Sequence, residues 1–229
     1  MKRKLLLFTA LLFWAMLGQA QNAWINEIHY DNSGTDLNEF LEVVIEDAAS
    51  MTLSDFSVSL YNGNNQSVYD TKTLDQFTEG NTVDNFTFYY FYYPENGIQN
   101  GSPDAMALAY QGNIVGNQFL SYEGTFTAVD GPASGMLSID IGVEESGGTT
   151  QDESLQLGGT GSLYDEFAWQ DALSATAGEL NQNQSFGSFN PDPEPSNYPS
   201  AFSGVAIDFS AELTWIDATG DQLPAAYLI

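Results

Sequence analysis

Ala23-Trp24-Ile25-Asn26-Glu27-Ile28-His29-Tyr30 alternates in polarity and is rich in β-favouring side chains. A period of two predicts a strand with Trp24, Asn26, Ile28 and Tyr30 on one face and Ile25, Glu27 and His29 on the other. Comparable runs follow over residues 40–45, 56–61, 67–73 and 85–93, then 106–110, 113–122, 136–143, 154–157 and 167–170. Asn62-Gly63, Asn96-Gly97, Asn100-Gly101, Gly112-Asn113, Asp130-Gly131 and Gly147-Gly148 separate them. Such pairs tolerate positive φ and mark tight turns. No window repeats apolar residues at helical spacing, and glycine interrupts every candidate. About ten short strands with frequent turns predict an all-β fold, a β-sandwich.

Upstream, Lys2-Arg3-Lys4 precedes an apolar run over residues 5–17 and the small residues of Gly18-Gln19-Ala20. This is the pattern of a secretory signal peptide, with cleavage expected after Ala20. The run is shorter than the roughly 20 residues of a spanning helix, so no transmembrane segment is expected after cleavage. The expected location is extracellular, either free or at the cell surface.

Loss of a leader carrying Lys2, Arg3 and Lys4 leaves Lys72 alone against 31 acidic residues, a net charge of −30. That field repels phosphate backbones and anionic headgroups, and one lysine cannot make a basic patch. Direct nucleic-acid binding is therefore not expected. The chain has no cysteine, so its core must hold the fold without disulfides. Four prolines between Asn190 and Pro199 predict a semi-rigid spacer. The expected organisation is a leader over 1–20, a sandwich domain over 21–188, a Pro-rich linker over 189–200, and a second β module begun over 201–229 but cut short.

Trp24-Ile25-Asn26-Glu27-Ile28-His29-Tyr30-Asp31-Asn32, with Gly34, Asp36 and Glu39-Phe40-Leu41-Glu42-Val43 after it, resembles the opening of bacterial lamin-tail domains. Residues 97–104, 118–124, 140–143 and 154–157 resemble later stretches of the same family in the same order. The resemblance covers about residues 24–186. It implies an immunoglobulin-like β-sandwich from exported, multi-module proteins, some of which also carry nuclease or phosphoesterase domains. It carries over no catalytic residue. Residues 212–220 resemble the start of a fibronectin-like repeat.

Within the first loop, Asp31, Asn32, Ser33, Asp36, Asn38 and Glu39 crowd around Gly34. Calcium takes six to eight oxygen ligands, which makes Asp31, Asp36 and Glu39 candidate calcium ligands, although the spacing is not that of an EF-hand. The alternative is a turn in which these side chains bond local backbone N–H groups. On the strand over 85–93, Phe86, Phe88, Tyr90 and Tyr92 share one face and Tyr89, Phe91 and Tyr93 the other. With the first set in the core, Tyr89, Phe91 and Tyr93 are a candidate aromatic shelf for a sugar. The alternative is a central strand buried on both sides.

Other constellations carry less. His29 is the sole histidine and is read as a strand residue bonded to a neighbour rather than a general base. Glu27 paired with Glu39 or Glu42 has the composition of a glycosidase dyad, but so would many pairs among 31 acids. No serine lies in a nucleophile elbow. Sequons at Asn65, Asn85 and Asn183 matter only in a host that N-glycosylates. The resulting expectation is a non-catalytic extracellular module that binds a protein, glycan or surface partner, or spaces other domains. The competing expectation is an accessory domain of a secreted nuclease or phosphoesterase.

Overall fold

The computed structural model describes residues 22–187 with their side chains and the backbone of residues 200–207 and 210–216. The leader expected over 1–20, nearly all of the linker expected over 189–200, and everything beyond residue 216 lie outside the described residues. The chain divides into two units, with the break after Phe186.

The described part of the first unit is all-β; its only helical elements are 3-10 turns of three residues. Its strands are β1 (Ala23–His29), β2 (Phe40–Glu46), β3 (Phe56–Asn62), β4 (Ser67–Thr73), β5 (Thr78–Val83) and β6 (Phe86–Tyr92). They continue with β7 (Asp104–Tyr110), β8 (Asn113–Tyr122), β9 (Ile139–Asp140), β10 (Glu153–Gly161), β11 (Phe167–Ser174) and β12 (Gln184–Phe186). One sheet runs β11-β10-β1-β2-β6-β5, with β12 added in parallel to β10. The other runs β4-β3-β7-β8-β9.

Three strands of the first unit depart from the sequence reading; one is β12, an unexpected short strand that forms by pairing with β10. β5 was not expected, because Thr78-Glu79-Gly80-Asn81-Thr82-Val83 has no apolar alternation; it forms as an edge strand by pairing with β6. The strand expected over 136–143 shrinks to two residues, Ile139 and Asp140, which bridge in parallel to Leu120 and Ser121.

The two sheets share one core. Ile25, Leu41, Val43 and Leu155 from the first sheet meet Val58, Leu60, Met106 and Leu120 from the second. A second cluster covers the far side of the first sheet, where Trp24, Val44, Phe86 and Phe88 pack with Phe167 and Phe186. Phe186 stacks on Phe86 with ring centroids 4.2 Å apart. A third lies behind the second sheet, with Tyr61 and Phe119 under Phe126, Ala128 and Ala133.

Both faces of the first sheet are thus buried, and the alternation in β1 does not survive intact. The register with β2 shifts between Ile25 and Glu27, a bulge at Asn26. One extra residue moves every later side chain to the opposite face. Ile25, Ile28 and Tyr30 therefore share the inter-sheet core, whereas Trp24 packs in the outer cluster. The expected grouping of Trp24 with Ile28 and Tyr30 is corrected by this bulge. All seven residues of β1 are buried.

In the second unit, β13 (Ser200–Ile207) and β14 (Ser210–Ile216) form an antiparallel pair in which Ile207 opposes Ser210.

Candidate functional site

The Asp31–Glu39 loop is built by its own side chains. Asp36 Oδ1 accepts the Asn32 N–H at 3.1 Å, and Asn32 Oδ1 accepts the Leu37 N–H at 2.8 Å. Asn32 Nδ2 donates to the Thr35 carbonyl at 2.9 Å. Local Asx bonding of this kind offers the backbone an alternative to a ladder and shapes the turn.

The three candidate calcium ligands are not brought together. Asn100 Nδ2 lies 3.1 Å from Asp36 Oδ2 and 3.4 Å from Asp31 Oδ1, so those two carboxylates converge on one amide. Glu39 turns elsewhere, accepting from Gly97 N at 2.6 Å and Ile98 N at 3.0 Å. Burial pushes the Glu39 carboxyl up to about 7 in spite of those two donors. Burial and the neighbouring Asp36 raise Asp31 as well. Among the described residues, no three His, Cys, Asp or Glu side chains converge as metal ligands.

His29 is fully buried and both its ring nitrogens are engaged. Nε2 lies 3.1 Å from the Leu37 carbonyl, which can only accept, so Nε2 carries a proton. Nδ1 lies 2.8 Å from Glu145 Oε1. Glu145 Oε2 accepts Tyr30 N at 2.6 Å and Asp31 N at 2.9 Å, bonds that favour the carboxylate. Burial raises the Glu145 carboxyl even against these donors. Burial opposes charge on His29, but the hydrogen bond and charge of Glu145 outweigh it and raise the His29 pKa. No lone pair is left for base catalysis.

A second buried carboxylate pair lies on the outer side of the first sheet, where Glu27 directly opposes Glu42. Glu27 accepts from Ser154 Oγ at 2.5 Å, Thr176 N at 2.7 Å and Thr176 Oγ1 at 3.0 Å. Glu42 accepts from Asn26 Nδ2 at 3.0 Å and Gly178 N at 2.6 Å. Burial lifts the Glu27 carboxyl to about 7, the neutral donors only partly offsetting it; burial and the facing Glu27 push Glu42 well above the carboxylate range. Neither side chain is exposed. Asn181 closes this layer, its Nδ2 donating to the Asn26 carbonyl at 2.9 Å and the Leu157 carbonyl at 3.1 Å. The pair locks the 176–184 segment over the sheet and has no access to a substrate.

The aromatic strand takes the second of its two readings, covered on both sides over most of its length. Tyr89 and Tyr93 are buried in the inter-sheet core and Phe91 is half-buried against it, so they form no shelf. On the other face Phe86 and Phe88 are buried, while Tyr90 is half-buried and Tyr92 is 52% exposed. The reason is that the first sheet is covered on both sides, so the strand's faces differ in exposure only near its end. Tyr90 and Tyr92 meet edge to face at 5.7 Å.

A concavity of about 830 Å³ lies at one end of the first unit. It is bordered by Tyr110 at the end of β7, residues 113–118 of β8 and the Leu163–Asp165 turn between β10 and β11. Tyr110 is backed by Phe56 at 4.7 Å, and the Tyr164 hydroxyl accepts from Trp169 Nε1 at 3.2 Å. Gln118 lies in its floor, 2% exposed. The Gln118 Oε1 accepts the Ile25 N–H at 2.8 Å, while its Nε2 has no hydrogen-bond partner. The Gln118 amide acts as a weak donor toward the Tyr164 hydroxyl, short of full hydrogen-bond geometry. A smaller polar hollow of about 360 Å³ lies between Asp36, Asn62, Asn100 and Asp104.

Sequence reading did not find Glu145, Gln118, Tyr164 or Asn181. Glu145 joins His29 across 116 positions, and Gln118 joins Ile25 across 93, so no local pattern announces either. Compared with known proteins, the chain matches no family model, no curated protein and no solved structure.

Proposed function

We propose that this chain is a non-catalytic extracellular binding module, an immunoglobulin-like β-sandwich of the lamin-tail kind, exported by the leader read in residues 1–20. One contrast carries the reading. The buried groups with catalytic potential are spent inside the fold, while an open concavity of about 830 Å³ is walled mostly by neutral side chains. His29, Glu27, Glu39, Glu42 and Glu145 each hold partners from this chain. The groove offers tyrosine rings and amides, with Asp165 as its one ionisable carboxylate. Such a surface suits recognition by shape and hydrogen bonding, not proton transfer. The two stacked sheets and the lamin-tail-like opening motif support the finer fold reading.

The test is an export and turnover assay on the full chain. Expected results are an N-terminus at Gln21 in the medium or at the cell surface, and no hydrolysis of nucleic acid, phosphodiester or polysaccharide with divalent cations present. Retention inside the cell with the leader uncleaved overturns the export half. Hydrolysis abolished by Glu42→Gln overturns the binding half.

A further inference from the structure

We propose that the groove between the β7–β8 turn and the Leu163–Asp165 turn is a binding site for a neutral saccharide. This deepens the binding-module reading and rests on it.

The chemistry of the walls selects the ligand. Tyr110 and Tyr164 are half-buried aromatics that border the groove, and Leu163 is 56% exposed beside them. Flat apolar surface of this kind packs against the C–H faces of a sugar ring, and the phenol oxygens serve its hydroxyls. Asn113 and Asn117 on the rim are exposed, and each amide presents a donor group and an acceptor. That pairing matches adjacent hydroxyls, each of which both donates and accepts.

Charge narrows the class further. Among the described residues, no lysine, arginine or histidine borders the groove, while Asp165 does. Lys72 is spent on Asp70, 2.6 Å away, and does not line it. A phosphorylated, sulfated or uronic-acid ligand would meet only repulsion here.

The floor holds one under-bonded donor. Gln118 is held by its Oε1 on the Ile25 N–H, which leaves Nε2 a buried donor with only the Tyr164 hydroxyl as a weak partner. Buried donors in folded proteins are almost always fully paired. A ligand oxygen that reaches the floor, with a small shift of the Tyr164 side chain, supplies a full acceptor. An acetamido carbonyl or a ring hydroxyl has the right chemistry.

An extended peptide fits less well, though β8 borders the groove and pairs with β9 only at Leu120 and Ser121. The β7–β8 register shifts between Ala107 and Ala109, and Gly116 takes φ +49°. A bulge of this kind twists an edge away from regular strand addition.

The experiment is calorimetric titration of the full chain with neutral oligosaccharides of glucose, mannose, xylose and N-acetylglucosamine. A polygalacturonate and an extended peptide are the comparison ligands. We expect at least one neutral sugar to bind and polygalacturonate not to bind. Tyr164→Ala should weaken affinity by about tenfold or more, a loss near 1.4 kcal/mol. Tyr164 also packs against core residues, so Asn117→Ala and Leu163→Ser, both at exposed positions, keep the test valid if that variant misfolds. Each should weaken binding by roughly threefold or more. Tyr92→Ala, outside the groove, should leave it unchanged. A folded chain that binds no neutral sugar, or binds one with no response to the Asn117 and Leu163 variants, overturns the proposal. So does binding of the peptide alone. None of these results touches the binding-module reading, which fails only on export or turnover.

Discussion

Gln118 Oε1 accepts the Ile25 N–H at 2.8 Å, one side chain of the second sheet completing the backbone of the first. The bond is needed because β1 pairs with β10 only at Glu27 and Ile28, so Ile25 gains no partner from that strand. Buried backbone donors are almost always paired. Gln118→Leu should therefore cost about 2 kcal/mol or more, from a buried N–H left unsatisfied. Chemical denaturation of the variant checks it; an unchanged midpoint would mean the bond contributes nothing.

Stability should fall as pH rises from about 5 to about 8. Glu27 and Glu39 have folded pKa values of about 7 against 4.5 ordinarily, so the folded state binds protons more tightly than the unfolded chain. Their contribution is full below the ordinary value and is lost as pH rises through the folded one. Raised His29 acts in the same direction. Glu27→Gln mimics the protonated carboxyl and retains an acceptor for Ser154 and Thr176. At about pH 8 it should stabilise the fold by on the order of 3 kcal/mol, with no gain near pH 4. Thermal melts across that range would expose a wrong sign at once.

Gly178 sits at φ +83°, and a Cβ there falls 2.7 Å from Tyr90 Cε1. The position also donates its N–H to Glu42 and offers its carbonyl to Asn81 N at 2.7 Å. Gly178→Ala should destabilise by roughly 1–3 kcal/mol through strain and clash together. Retention of the parental melting temperature would show that the 176–184 segment is not the clamp its hydrogen bonds describe.

Phe186 closes the outer cluster from the last strand of the first unit. Phe186→Ala should cost about 3 kcal/mol or more, because a large buried side chain leaves a cavity against Trp24 and Phe86. Trp24 emission, shifted to longer wavelength as water reaches it, would report the loss directly.

Excess calcium and chelator should give the same melting temperature, since Glu39 is held by Gly97 and Ile98 while Asp31 and Asp36 share Asn100. A calcium-dependent rise would require that loop to rebuild around the ion.

The sequence by itself determined that the chain is β-structured, where most strands lie and where turns break them. These are local properties: period-two polarity, β-branched and aromatic side chains, and paired turn residues such as Asn62-Gly63 and Asp130-Gly131 act over a few positions. Tertiary structure alone decided which face is which. The bulge at Asn26 sends Ile28 to the core shared with the second sheet and leaves Trp24 in the outer cluster. Tyr89 and Tyr93 are core residues because β2 and β5 flank their strand and the second sheet covers them. β5 exists only because β6 offers a ladder edge to a segment with no pattern of its own. The pairing of His29 with Glu145 and of Gln118 with Ile25 likewise depends on chain closure across more than 90 residues. A side chain's type is written locally, but its burial and its partners are set by whichever distant strand packs against it.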